Sequence, residues 1–161
     1  MFCPEMRIAL LIFFSLSLLA SCTTQDVCED DNQSKLVARF KTIESDVVSD
    51  TIVSGVTIYG IREGKVDSLL YDSSTTSEIL LPLDPNHDFT RFVLSVNEYS
   101  DTLRFIHSTE FYLLSYTCGF AALFNLDSIR YSNLIIHDLE IINSVIDAEL
   151  EQNEEHLWIY F

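Results

Sequence analysis

Glycine and basic residues are both scarce in this chain of 161 residues, and each shortage argues against a class of function. The four glycines are Gly55, Gly60, Gly64 and Gly119. None stands in the G-x-S-x-G turn that presents a serine nucleophile, and none belongs to a glycine-rich loop whose amides could close around phosphate. Nine Lys and Arg stand against twenty-five Asp and Glu, a formal net charge of −16. Binding nucleic acid requires cations that neutralise phosphates and release counterions, so this balance argues against a nucleic-acid partner. It also repels anionic lipid surfaces, and any membrane association must come from an anchor. The four histidines, His87, His107, His137 and His156, are scattered with no H-x-H pair and no helical metal-ligand spacing. No cofactor is expected, and no internal repeat is visible.

The one long hydrophobic run lies at the start. Ile8 to Ala20 is uncharged and apolar and follows Arg7. It is shorter than the roughly 20 residues of a membrane-spanning helix and has the flanks of a signal-peptide core. Met6-Arg7 makes a cleaner positive start than Met1 to Glu5, so translation from Met6 is an alternative beginning. The run ends in Leu19-Ala20-Ser21-Cys22, which resembles the lipobox of bacterial lipoproteins. That resemblance implies a diacylglyceryl group on the Cys22 thiol, cleavage before Cys22, and further acylation of the new amino terminus. Two or three acyl chains give stable anchorage where one does not. The competing reading is an ordinary cleaved signal with Cys22 there by chance.

Removing residues 1–21 takes away Arg7 and Glu5 together, leaving eight basic and twenty-four acidic residues in the chain from Cys22 to Phe161. That length accommodates a single domain with a genuine core. Residues 22–34 are polar and acidic and read as a tether. In envelopes of the Bacteroidota kind, acidic residues after the acceptor cysteine act as a surface-export signal, which this stretch loosely resembles. Cys28 and Cys118 remain after the signal and the lipidated cysteine are set aside. An exported chain meets an oxidising compartment, so a Cys28–Cys118 disulfide is expected, with two free thiols as the alternative.

From residue 35 onward the pattern is that of strands. Leu36, Ala38 and Phe40 alternate with more polar neighbours, as do Phe92, Leu94 and Val96, and Leu103, Phe105 and His107. Ile52–Ile61 and Val66–Tyr71 flank Arg62-Glu63-Gly64-Lys65 as a hairpin. Ser73–Ser77 reads as a loop, Glu78–Leu83 as an edge strand closed by Pro82, and Leu157–Phe161 as a closing strand. The apolar stretch Phe111–Phe124 predicts a buried central strand interrupted at Cys118-Gly119. Leu134–Leu150 fits a strand by its β-branched content and one helix face by Ile135, Leu139, Ile142 and Ile146, and the strand reading is preferred. The expected fold is all-β: an antiparallel sandwich of about seven to nine strands, immunoglobulin-like or similar, over residues 35–161.

Candidate chemistry is sparse. Asp84, Asn86 and Asp88 match the first oxygen positions of a calcium loop, but Phe89 replaces the turn glycine and Ser95 the bidentate glutamate, so a polar turn is the better reading and no metal is assigned. Asp147, Glu149, Glu151, Glu154 and Glu155 read as a solvated acidic face. Phe111, Tyr112, Tyr116, Phe120, Phe124, Trp158, Tyr160 and Phe161 read as core rings, although exposed rings would serve recognition.

The lipobox, one cysteine soon after it, Leu80-Leu81-Pro82-Leu83, Ser115-Tyr116-Thr117-Cys118-Gly119-Phe120 and the ending from His156 to Phe161 together resemble an uncharacterised family of small Bacteroidota-type lipoproteins, a domain of unknown function. This resemblance implies an envelope location and a β fold, and no activity. The expectation is a non-enzymatic lipoprotein held in the cell envelope by its lipid anchor, in the outer membrane on its periplasmic or surface face. There it would bind an envelope protein partner or give structural support. A glycan- or cation-binding lipoprotein is the alternative, and a carboxylate-based hydrolase the third reading.

Overall fold

In the computed structural model of the chain, residues 33–62, 65–148 and 154–161 are described. They form eleven strands and no helix. The signal segment, Cys22, Cys28 and most of the tether lie outside the described residues, as do Glu149 and Glu151 of the acidic cluster.

Two sheets pack face to face. The smaller runs β2 (Val47–Asp50), β1 (Lys35–Glu44), β11 (Leu157–Tyr160), β9 (Asp138–Ile141), with β5 (Glu78–Pro82) paired to the first half of β1. The larger runs β10 (Val145–Ile146), β8 (Gly119–Tyr131), β7 (Tyr99–Ser115), β6 (Phe89–Val96), β3 (Val53–Arg62), β4 (Lys65–Thr76). The sandwich is therefore all-β as expected. It is not wholly antiparallel, because β1 and β11 run parallel, Ala38 opposite Leu157 and Lys41 opposite Tyr160. The strand count exceeds seven to nine because β2, β9 and β10 are only two to four residues long, too short to show an alternation.

Period-two patterning explains which faces meet. Leu36, Ala38 and Phe40 of β1, Val56 and Ile58 of β3, Phe92 and Leu94 of β6, and Leu103 and Phe105 of β7 are buried in one core with Leu157 and Ile159. Rings interlock edge to face within it, Phe92 on Phe105 and Phe40 on Phe161. Residues 134–150 contain β9 and β10, so the strand reading holds over its described part.

Two expectations fail. Ser73–Ser77 is not a loop: β4 continues to Thr76, with its pairing to β3 broken by register shifts. Ser73, at a φ of 46°, donates its amide to the Thr57 hydroxyl at 3.1 Å, so a side chain replaces a backbone partner where the strand kinks. Phe111–Phe124 is not one buried central strand either. The chain reverses at residues 116–118 and makes the far end of a long hairpin, closed by Gly119 in the left-handed region (φ 78°).

The connection from the larger sheet to the smaller is fixed by one carboxylate. Asp101, fully buried on β7, accepts hydrogen bonds from the backbone amides of Leu134, Ile135 and Ile136 at 2.8–2.9 Å and from the Ser132 hydroxyl at 2.8 Å. Burial alone would raise its pKa, but these four donors win and hold it below the usual carboxylate value.

Candidate functional site

The largest departure from a closed sandwich is the end of the β7–β8 hairpin. Strand β6 pairs with β7 only as far as Ile106, and β10 touches β8 only at Phe124 and Asn125. Beyond these points β7 and β8 pair with each other alone among the described strands, up to Leu113 opposite Phe120 and Ser115 opposite Gly119. Within this arm Phe111 faces Ala122 and Leu113 faces Phe120. Stepping by twos puts all four on the face of Phe124, the face buried lower down. Phe124 is 2 % exposed, whereas Phe111 is 60 %, Phe120 66 % and Tyr116, in the turn, 99 %. The inner side of the larger sheet thus runs on past the cover of the smaller one. An apolar surface of this kind marks a contact site more often than an accident of composition.

The arm is braced at its base. The Ser34 hydroxyl donates to the Ala122 carbonyl, and the Tyr112 hydroxyl donates to the Asp147 carboxylate. At its tip the Ser115 hydroxyl accepts the Cys118 amide at 2.9 Å. The expectation that the aromatic residues are core fails for Phe111, Tyr116 and Phe120 and holds for Phe124 and Tyr160. A run of apolar residues signals burial only if something lies opposite, and hairpin length is set by pairing that a sequence does not print.

The Asp84-Asn86-Asp88 turn follows β5. The Asp84 carboxylate accepts the Asn86 amide at 3.0 Å, meets His87 Nδ1 at 3.0 Å and lies 3.7 Å from Arg62. Burial pushes its pKa up, but the Asn86 amide, the His87 ring and the Arg62 charge bring it below the ordinary value. Its oxygens are thus engaged by protein donors in an Asx-type turn. Among the described residues no group of three or more His, Cys, Asp or Glu could hold a metal ion. A cleft of about 310 Å³ opens beside this turn, lined among others by Arg62, Asp84, His87, Phe89 and Arg91.

Two histidines are structural. His107 sits against Phe124 on the inner face and shares a hydrogen bond with Thr90 at 3.0 Å. His156 Nδ1 accepts the Val37 amide at 3.0 Å, so its ring extends the pairing of β1 just before β11 begins. Burial lowers the pKa of both, more strongly than nearby carboxylates raise it. The described members of the acidic cluster are not simply solvated. Glu155 lies 3.2 Å from Arg39, 3.4 Å from Lys41 and accepts the Trp158 indole N–H, while Glu154 accepts from Asn143.

Among the described residues no helix is long and apolar enough to cross a membrane. No curated protein and no solved structure matches this chain. The profile of a family of unknown function, DUF6452, matches residues 55–161, about two thirds of the sequence, from the third residue of β3 to the end of the sandwich. The chain belongs to the DUF6452 family.

Proposed function

We propose that this protein is a lipid-anchored lipoprotein of the cell envelope that binds a protein partner through the end of its β7–β8 hairpin and performs no catalysis. The observation that carries the reading is the exposed row of Phe111, Leu113, Tyr116 and Phe120 on a two-stranded arm. The surface is an apolar edge rather than an enclosed pocket, which suits a protein better than a small ligand. The chain's charge of −16 favours a partner with a basic rim around a complementary apolar patch. Ser34, where the tether meets the sandwich, bonds the arm itself, so a lipid on Cys22 would hold the arm close to the membrane that bears its partner. A Cys28–Cys118 bridge belongs to the same reading, since a tether fixed at the arm's tip would bring anchor and arm together.

The test has two arms. Intact mass and labelled-palmitate incorporation are compared for the wild type and Cys22→Ala. Lipid on the first alone supports the anchor, and an unlipidated wild type overturns it. Partners retained from detergent by the wild type are then compared with those of Tyr116→Ser/Phe120→Ser. Selective loss, with an unchanged melting temperature, supports the arm as the binding surface, and equal retention rules it out.

A further inference from the structure

Three arginines stand in register across the outer face of the larger sheet. Arg91 on β6 is directly opposite Arg104 on β7, and Arg104 is directly opposite Arg130 on β8. Directly opposed like charges destabilise a sheet. In a chain with twenty-five carboxylate residues a neutralising partner would be easy to supply, yet none of the three has a salt bridge among the described residues. The flanking rows of the same face hold no acid: Phe89, Ile106 and Ser128 on one side, Val93 and Thr102 on the other. The guanidinium of Arg104 lies 4.1 Å and that of Arg91 5.5 Å from the centre of the Phe89 ring. The Nε atoms of Arg91 and Arg104 are buried without a hydrogen-bond partner. Stacking of this kind holds planar forks in place with donors still to spend. Arg91 also lines the cleft beside the Asp84 turn, so the row opens into a concavity.

We infer that this arginine row is a binding site for a phosphate-bearing ligand, either a soluble phosphate compound or a phosphorylated lipid headgroup. Neighbouring strands lie about 4.8 Å apart, so the row spans roughly 10 Å, long enough to grip two linked phosphate groups. Arginine forks match phosphate oxygens two at a time, and an anion seated there removes the repulsion between the guanidinium groups. The site is independent of the hairpin arm and of the lipid anchor.

The probe is inorganic pyrophosphate, titrated calorimetrically into the complete unacylated chain carrying Cys22→Ala. Saturable binding is expected, weakened by about tenfold in Arg130→Gln and in Arg104→Gln and abolished in the double variant. Arg130 is exposed, so its substitution leaves the fold intact if Arg104→Gln does not. Flotation of the same chain with phosphatidylcholine vesicles, plain or doped with phosphatidic acid, distinguishes the sources. Arginine-dependent retention on doped vesicles alone identifies a headgroup, and pyrophosphate binding without retention identifies a soluble phosphate. The inference is overturned if the wild type binds neither probe, or if the double variant binds as well as the wild type.

Discussion

The outer faces of the two sheets treat their cations in opposite ways. On the smaller sheet Arg39 lies within 3.7 Å of Asp50, Glu78 and Glu155, and the buried Lys41 ammonium sits 2.5 Å from Asp50 and 4.4 Å from the centre of the Trp158 ring. On the larger sheet Arg91, Arg104 and Arg130 have one another and Phe89. Both faces belong to the same acidic chain, so a general shortage of carboxylates cannot explain the difference. Cations on the first face are neutralised within the fold and hold strands together. Those on the second are kept available, at a cost in stability that a bound anion would recover.

The two sheets are joined through the crossover that Asp101 holds, and Asp101 is where that link can be broken. Asp101→Ala strands three backbone amides and a hydroxyl in the interior and should cost about 3 to 5 kcal/mol, read as a fall in the denaturant midpoint. A loss below about 1 kcal/mol would mean the crossover at residues 132–136 is held by other contacts. Next in size is Lys41→Met, which removes the cation shared by Asp50, Glu155 and Trp158. We expect a loss of about 1 to 3 kcal/mol in the same assay. An unchanged midpoint would place the smaller sheet's network among idle surface pairs.

Acidification sharpens the contrast without mutation. His107 and His156 have pKa values lowered by burial from 6.5, so the unfolded chain takes up protons more readily than the folded one. Their contribution is complete above about pH 6.5 and is lost as pH falls below it through the folded values. Asp101, also lowered, adds a second loss below its ordinary value of 3.8. The melting temperature should therefore decline from pH 7 to pH 5, and His156→Gln should flatten that decline. A melting temperature that rises over this interval would contradict the assignment of both rings as neutral. The smallest effect belongs to Arg130→Gln without ligand. Removing one of three opposed charges at an exposed position should leave stability within about 0.5 kcal/mol or raise it slightly. A clear loss would mean that the arginine row, like the smaller sheet's network, is there to stabilise the fold.

Much of the sandwich was legible because strands alternate. Leu36, Ala38 and Phe40, or Leu103, Phe105 and His107, announce a buried face by spacing alone, and the pairing of β3 with β4 follows from two neighbouring β-rich runs. The hairpin arm was not legible. Phe111, Leu113 and Phe120 have the same composition as core residues, and only the end of the smaller sheet leaves them uncovered. The arginine row was invisible for a related reason: Arg91, Arg104 and Arg130 are far apart in the chain, and register alone aligns them.

The sequence by itself determined the all-β class, the strand faces, the acidic balance and the signal-like start, because each is a local or summed property of residue types. Tertiary structure alone decided the parallel pairing of the first and last strands, the seat of Asp101 beneath three amides, the exposure of the arm and the alignment of three arginines. Each of these depends on which distant segments lie side by side, and pairing between strands is fixed by the whole core rather than by any one stretch of chain.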